Sequence, residues 1–261
     1  MPEPLLAGRG IVVTRPRNQA AGLTKAIENA GGYPIAFPTI EIGPPRDLAR
    51  VLGQLEGLER FDLALFASAN AVRMAFQLLA KHLPGGRWPA NLEVACIGPG
   101  TAAALAGEGV NRVTLPSDSM DSEGLLEMPN LADMRGKRVA IFRGQGGRSL
   151  LGDTLTERGA RVSYIEAYAR LLARSDPEPL LNRWRRTEVA AVTVSSGEGL
   201  DNLLRLIGDD GSEYLRKSPL FVPHVRVSSQ ARRLGLDLIL LAGPTDTDML
   251  SALVAYFGMP K

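Results

Sequence analysis

The sequence predicts an α/β protein built as two doubly wound parallel-sheet lobes, flavodoxin-like or Rossmann-like, joined by two crossing segments. Three observations predict it. Short apolar runs recur, each ending in a small polar turn that opens a segment of helical periodicity, the grammar of parallel strands and crossover helices. Residues 171–186 interrupt that grammar with arginines and prolines, after which it restarts. Residues 11–37 and 139–165 share a strand, an arginine, a polar turn, a Leu-rich helix, a glycine (Gly31, Gly159) and an extended exit, a faint internal repeat.

Ile11-Val12-Val13-Thr14, bounded by Gly10 and Pro16, reads as a buried strand, and the helix over residues 20–29 stops at Gly31-Gly32. Residues 33–42 are extended but carry Pro34 and Pro38. Proline lacks the ladder N–H, so this stretch belongs at a sheet edge or in a crossing ribbon. A helix over residues 48–58 leads to the strand Asp62-Leu63-Ala64-Leu65-Phe66-Ala67, the turn Ser68-Ala69-Asn70 and a helix over residues 71–80. Glu93-Val94-Ala95-Cys96-Ile97 ends in Gly98-Pro99-Gly100-Thr101 and an Ala-rich helix that stops near Gly107. Val113-Thr114-Leu115 reads as a further strand, and the polar loop 116–122 as the cap of another helix. Lys137-Arg138-Val139-Ala140-Ile141-Phe142 runs into Arg143-Gly144-Gln145-Gly146-Gly147-Arg148-Ser149 and a helix to Arg158, and the next strand starts at Val162.

Past the interruption, Ala190-Ala191-Val192-Thr193-Val194 leads to Ser195-Ser196-Gly197 and a helix over residues 200–207. Leu220-Phe221-Val222 leads to Pro223-His224 and a helix over residues 229–234, and Leu238-Ile239-Leu240-Leu241 to a closing helix ending at Phe257. The first strand unit and the last three form a small set, while residues near 38–165 form a complete sheet. The expected organisation is therefore a discontinuous first lobe, residues 1–37 and 171–261, with residues 38–170 inserted and crossing segments near 34–42 and 164–172.

One of those crossings, Tyr164-Ile165-Glu166-Ala167-Tyr168-Ala169-Arg170, alternates apolar and polar residues. If extended, it turns Glu166, Tyr168 and Arg170 to one side. This reading sets the strand at the mouth of a cleft with Tyr168 serving chemistry there; packing of the lobe connector is the competing role for the phenol.

The 261 residues are 45% hydrophobic and 22% charged, ordinary for a globular chain, and the formal net charge is only +2. No global basic field points to nucleic acid or an anionic membrane, so an anionic ligand must be met locally. A single cysteine, Cys96, allows no internal disulfide, and no run is long enough to span a bilayer, which leads to the expectation of a cytoplasmic, soluble protein. His82 and His224 are isolated and Cys96 lies in an apolar strand, so no metal site is expected.

Ligands of parallel sheets bind beyond the C-terminal strand ends, where this chain keeps its Ser, Thr, Asn, Gly and Arg. Gly98-Pro99-Gly100-Thr101-Ala102-Ala103 fits a loose dinucleotide pattern, but Pro99 removes a donor and no acidic residue closes the next strand. Close helix–strand packing, or an anion-binding helix N-terminus, fits that turn better. Arg143 and Arg148 suit bidentate carboxylate recognition or a solvated loop. Arg15 and Arg17 follow the first strand as binders or a surface pair, and Ser68–Asn70 and Ser195-Ser196-Gly197 are helix caps that also line strand ends.

Val12-Val13-Thr14-Arg15-Pro16, Ser68-Ala69-Asn70-Ala71-Val72, Ile97-Gly98-Pro99-Gly100-Thr101-Ala102, Arg143-Gly144 with Gly147-Arg148, Glu166-Ala167-Tyr168-Ala169-Arg170 and Ser195-Ser196-Gly197 occur in that order. As an ordered set they resemble the uroporphyrinogen-III synthase family over essentially the whole chain; residues 224–231 match least. The resemblance implies two α/β lobes on a two-stranded connector, with the active site between them. It also implies a cyclising hydro-lyase that uses no metal or organic cofactor. Its substrate is hydroxymethylbilane, an octacarboxylate, which loses water and closes to uroporphyrinogen III with the last ring inverted through a spiro intermediate.

On that resemblance Tyr168 is the catalytic acid, since a phenol is protonated at neutral pH and can assist a departing hydroxyl. The substrate-binding set it implies is Thr14, Arg15, Ser68, Asn70, Gly98, Gly100, Thr101, Arg143, Gly144, Arg148, Ser195, Ser196 and Gly197. Helix N-termini after Thr14, Asn70, Gly100 and Ser196 would take carboxylates. A monomer is expected, in transient contact with the upstream hydroxymethylbilane synthase and with neither nucleic acid nor membrane. Two other classes compete: a non-catalytic two-lobed tetrapyrrole- or anion-binding sensor, and a nucleotide-dependent enzyme resting on the Gly98 turn.

Overall fold

The computed structural model describes residues 5–83, 85, 88–116 and 119–258. The chain separates into two compact units, Met1–Glu41 with Leu171–Lys261, and Ile42–Arg170.

The first unit holds β1 (Gly10–Val13), α1 (Arg17–Asn29), β2 (Tyr33–Ala36), α7 (Glu178–Arg185), β8 (Val189–Thr193), α8 (Gly197–Arg216), β9 (Leu220–Val222), α9 (Val225–Arg233), β10 (Ile239–Leu241) and α10 (Asp246–Gly258). Its sheet has the order β10-β9-β8-β1-β2, and its strand pairs run parallel. All four residues of β1 are buried because the strand is covered on both faces. Ile11 and Val13 meet Leu23, Ile27, Met249 and Leu253 of α1 and α10, whereas Val12 meets Leu180, Trp184 and Leu203 of α7 and α8. Pro34 lies in the edge strand β2, where its missing N–H costs no ladder bond on the open side.

The chain passes to the second unit in β3 (Ile40–Gly43) and returns in β7 (Arg161–Leu172), which are neighbours in a sheet of order β3-β7-β6-β4-β5. Between them come α2 (Leu48–Glu56), β4 (Leu63–Phe66), α3 (Ala69–His82), β5 (Glu93–Cys96), α4 (Pro99–Gly107), α5 (Ser122–Leu126), β6 (Arg138–Gly144) and α6 (Leu150–Glu157). One face of this sheet packs Phe66, Phe142 and Ile165 against Val51, Leu55, Val72 and Leu79 of α2 and α3. The other packs Leu65, Ile141 and Val139 against Leu125, Leu151 and Leu155 of α5 and α6. Phe66 and Phe142 are register partners, and their rings stack with centroids 4.4 Å apart.

Several elements differ from the sequence expectation. Val113-Thr114-Leu115 forms only one bridge, Thr114 to Ala95, because Pro116 has no N–H to extend the pairing. Ser117 and Asp118 of the following polar loop lie outside the described residues. Residues 171–186, read as connection only, contain α7, anchored by the buried Trp184, whose indole N–H donates to Ser218 Oγ at 3.1 Å. α8 runs nine residues past Ile207, to Arg216: Gly208, at φ 64° and ψ −165°, takes up the kink and the helix resumes. α9 starts at Val225 rather than at residue 229.

The end of α7 generates a stability test. Thr187 N–H donates to the Trp184 carbonyl and Glu188 N–H to the Arg183 carbonyl, both at 2.9 Å, which is a Schellman closure. That closure holds the β-branched Thr187 at φ 56°, a left-handed conformation that costs about 1–3 kcal/mol for such a residue. Thr187→Gly removes the strain and returns part of the gain as unfolded-chain entropy, so the expected net is about 0.5–1 kcal/mol of added stability. A urea-unfolding midpoint that falls or stays fixed in this variant contradicts the strain.

Candidate active site

β6 and β7 stay in step up to the pair Arg143–Glu166, and the next pair is Gly144–Tyr168. Ala167 is therefore an extra residue, a β-bulge, and the bulge reverses which face each later side chain meets. Ile165, Ala167 and Tyr168 all join the core beneath α2 and α3. Glu166 meets Arg143 instead, whose guanidinium lies 3.7 Å from the centre of the Tyr164 ring, part of the opposite core. The common face expected for Glu166 and Tyr168 from simple alternation does not exist.

Tyr168 is only 2% exposed, so its strand does not present the ring at an open mouth. The ring lies flat against the backbone of Gly144: a Cβ built there would stand 2.5 Å from Tyr168 Cζ. Its hydroxyl lies 3.2 Å from Ser68 Oγ, and either oxygen can donate. Ser68, half-buried, also accepts the Ala71 N–H at 3.2 Å and so caps α3. Ser68, Gly144 and Tyr168, chosen from three distant parts of the sequence, thus form one cluster at the C-terminal ends of β4 and β6. Asn70 follows on the first turn of α3 and is buried.

Arg143 does not offer the free carboxylate fork read from sequence. It donates to Glu166 Oε1 at 3.1 Å, to the Gly147 carbonyl at 3.0 Å and to the Arg148 carbonyl at 3.2 Å. Tyr164 OH completes the clamp by donating to the Ser149 carbonyl at 3.2 Å. The side chain therefore folds the loop after β6 back on its own strand. Arg148 is exposed and reaches Glu123 at 3.0 Å, a surface pair of about 0–1 kcal/mol that a ligand can displace.

At α4, among the described residues, a Cβ on Gly98 would come no nearer than 3.9 Å to Met120, and one on Gly100 would meet nothing within 4 Å. These glycines do not serve close helix–strand packing. Among the described residues no side chain caps this helix N-terminus, and Thr101 is buried behind it. Burial pushes the Cys96 thiol pKa up, in keeping with a core residue.

In the first unit, Thr14 is buried and donates to the Thr193 carbonyl at 2.8 Å, while Thr193 Oγ1 donates to the Val12 carbonyl at 2.9 Å. This reciprocal tie fastens β1 to β8, so the Thr14 hydroxyl is structural. Arg15 pairs with Asp246 at the start of α10. Ser196 caps α8 by accepting the Gly199 N–H at 3.0 Å, and the Gly197 carbonyl accepts from Gln230 Nε2 at 3.1 Å. Ser195, beside them, is exposed. Thr39, buried just after Pro38, escaped sequence reasoning; its carbonyl accepts from Asn202 Nδ2 of α8 at 3.1 Å. Gln54, which donates to the Tyr164 carbonyl at 3.1 Å, escaped too, and only its position on the inner side of an amphipathic helix hinted at it.

The Gly144–Tyr168 contact gives a direct test. In Gly144→Ala the new methyl must displace the phenol ring, which breaks the Ser68 bond and overpacks the core by about 1–3 kcal/mol. A lower denaturation midpoint with an altered near-ultraviolet tyrosine signal is expected; an unchanged signal would mean that the ring is not seated on this glycine.

A family model described as uroporphyrinogen-III synthase HemD matches residues 21–251. The uroporphyrinogen-III synthase of Escherichia coli (strain K12) is 37% identical over 92% of this chain and 97% of its own length. The Proteus mirabilis protein of the same name is 32% identical over 74% and 96%. Among solved structures, uroporphyrinogen-III synthetase from Helicobacter pylori 26695 shares the fold with a TM-score of 0.59 at 15% identity, covering 95% of this chain and 99% of that one. A mutant uroporphyrinogen III synthase from the extremely thermophilic bacterium Thermus thermophilus gives 0.56 at 20% identity, covering 94% and 96%.

Proposed function

This chain belongs to the uroporphyrinogen-III synthase family, and from that membership we propose that it closes hydroxymethylbilane to uroporphyrinogen III, as a cyclising hydro-lyase. The single observation that carries the reading is that the family match runs through both compact units, so neither is an unrelated addition.

The reaction begins when the hydroxymethyl carbon loses its oxygen. The departing hydroxyl takes a proton and leaves as water, and the pyrrole nitrogen lone pair stabilises the cation left behind. The substituted end of the last ring attacks that cation to give a spiro centre. One bond to this ring then breaks and re-forms in the opposite sense, and loss of a ring proton closes the macrocycle. Water departs from such a substrate readily, so the larger task is conformational: the chain must favour the spiro bond over head-to-tail closure.

Ser68 and Tyr168 are the acid in this reading. Tyr168 is buried and Ser68 is not, so Ser68 is the hydroxyl that meets the leaving group, with Tyr168 behind it at 3.2 Å. Ser68 passes a proton outward and takes one from the phenol; the proton lost at ring closure returns by the same route. Carboxylates of the substrate are met by backbone N–H groups at the α3 and α4 N-termini, with Arg148 supplementing them. The enzyme works as a cytoplasmic monomer that receives its labile substrate in transient contact with hydroxymethylbilane synthase.

Two experiments test this. Purified protein is fed hydroxymethylbilane as it is generated, and the oxidised products are separated into uroporphyrin I and III. A clear excess of type III is expected; type I alone from a folded protein would turn the reading to a tetrapyrrole-binding sensor. In Tyr168→Phe the fold is expected to persist and type III formation to fall by about a hundredfold, the lower end of the range for general acids. Wild-type turnover in that variant removes the phenol from the mechanism.

A further inference from the structure

The second unit carries a pocket that the acid cluster at Tyr168 does not explain. It has a volume of about 310 Å³ and is lined by Arg46, Asp47, Arg50, Val51 and Gln54 around α2, and by Arg143, Gln145, Tyr164 and Glu166 on β6, β7 and the loop after β6. Its floor is fixed. Arg143 is held by Glu166, two loop carbonyls and the Tyr164 ring, and Gln54 is held by the Tyr164 carbonyl.

The charges on its wall are not balanced in what they leave for a ligand. Both carboxylates are engaged: Glu166 by Arg143, and Asp47 as the cap of α2, accepting the Arg50 N–H at 3.0 Å. The guanidinium groups of Arg46 and Arg50 are exposed and make no hydrogen bond or ion pair among the described residues, and the Gln145 side-chain amide makes none either. Two buried polar atoms of the lining also have no partner among the described residues, Arg143 Nε and Gln54 Oε1. The free capacity of the pocket is thus mostly donors with two uncommitted positive charges, over a rigid floor. That is the chemistry of a carboxylate site.

We propose that this pocket is an accessory carboxylate subsite in which Arg46 and Arg50 grip a carboxylate-bearing arm of the ligand. It rests on the proposed function for the source of that arm, a side chain of hydroxymethylbilane, but the recognition chemistry stands apart from it. A free small carboxylic acid presents the same group, and the experiment separates the two.

Arg46→Gln/Arg50→Gln changes only exposed side chains, so the fold is retained. Hydroxymethylbilane turnover and citrate titration by calorimetry at low ionic strength are measured for wild type and variant. The expected result is a KM raised about tenfold with kcat within about twofold, together with weakened citrate binding, as for loss of a charge-assisted contact. Weakened citrate binding with an unchanged KM keeps the carboxylate site and assigns it to a free acid. Unchanged KM and unchanged citrate affinity overturn the proposal. If wild type yields only the type I isomer, the functional reading fails, and the citrate comparison alone decides the pocket.

Discussion

The register shift at Ala167 is the constraint on which the second unit's site depends. Without the extra residue Tyr168 would follow Glu166 and Tyr164 to the face of α5 and α6, away from Ser68. Three contacts surround the shift. Arg143 holds Glu166 just before it, Gln145 N–H donates to the Tyr168 carbonyl at 2.9 Å just after it, and Gly144 leaves room for the phenol ring between them. A bulge inserted into a parallel ladder leaves one residue unpaired, and it persists where neighbouring contacts over-determine it. Here the same short stretch sets the strand pairing, the loop after β6 and the place of the phenol.

That coupling changes what the strand-end arginines mean. Read from sequence, Arg15 and Arg143 are equivalent candidates for binding carboxylates. In the structure each is taken by an acid of its own unit, Asp246 and Glu166. A guanidinium already paired and mostly buried meets a new carboxylate only by giving up the old one, at the cost of leaving a charge unpaired. On the proposed reading, anion recognition then falls to backbone donors and to exposed arginines. The helix termini divide in the same way: α2 and α5 are capped by Asp47 and Asp121, which already hold their N–H groups, whereas α4 has no side-chain cap. A chain of net charge +2 can meet a polyanion through such neutral donors.

Much of the fold was legible because its signals are local. Buried strands on a sheet covered on both faces are uninterrupted apolar runs, and β1 and β4 are fully buried over their whole lengths. Pro34 correctly marked an edge. What failed depends on partners distant in sequence. Nothing local to Gly208 says that α8 resumes after a kink, and nothing in 113–115 says that only one residue will pair. Within the site, the Ser68 turn and Gly144 could be singled out as strand-end residues, but their meeting at Tyr168 required the bulge. The face of Tyr168 was misread because strict alternation has no means of counting an unpaired residue.

Gly98 and Gly144 show how little glycine says by itself. Gly98 follows a buried strand and Gly144 ends one, and both were grouped as strand-end binding residues. Gly144 is needed for a contact, since any Cβ would collide with the Tyr168 ring, whereas Gly98 and Gly100 have nothing close above them among the described residues. The first glycine is a packing requirement of the phenol and the second pair leaves a helix end accessible. A residue absent for steric reasons and a residue absent to expose backbone donors look alike in a sequence. They separate only when the atoms that would meet the missing methyl are known, and at Gly144 those atoms belong to the one side chain on which the proposed acid chemistry turns.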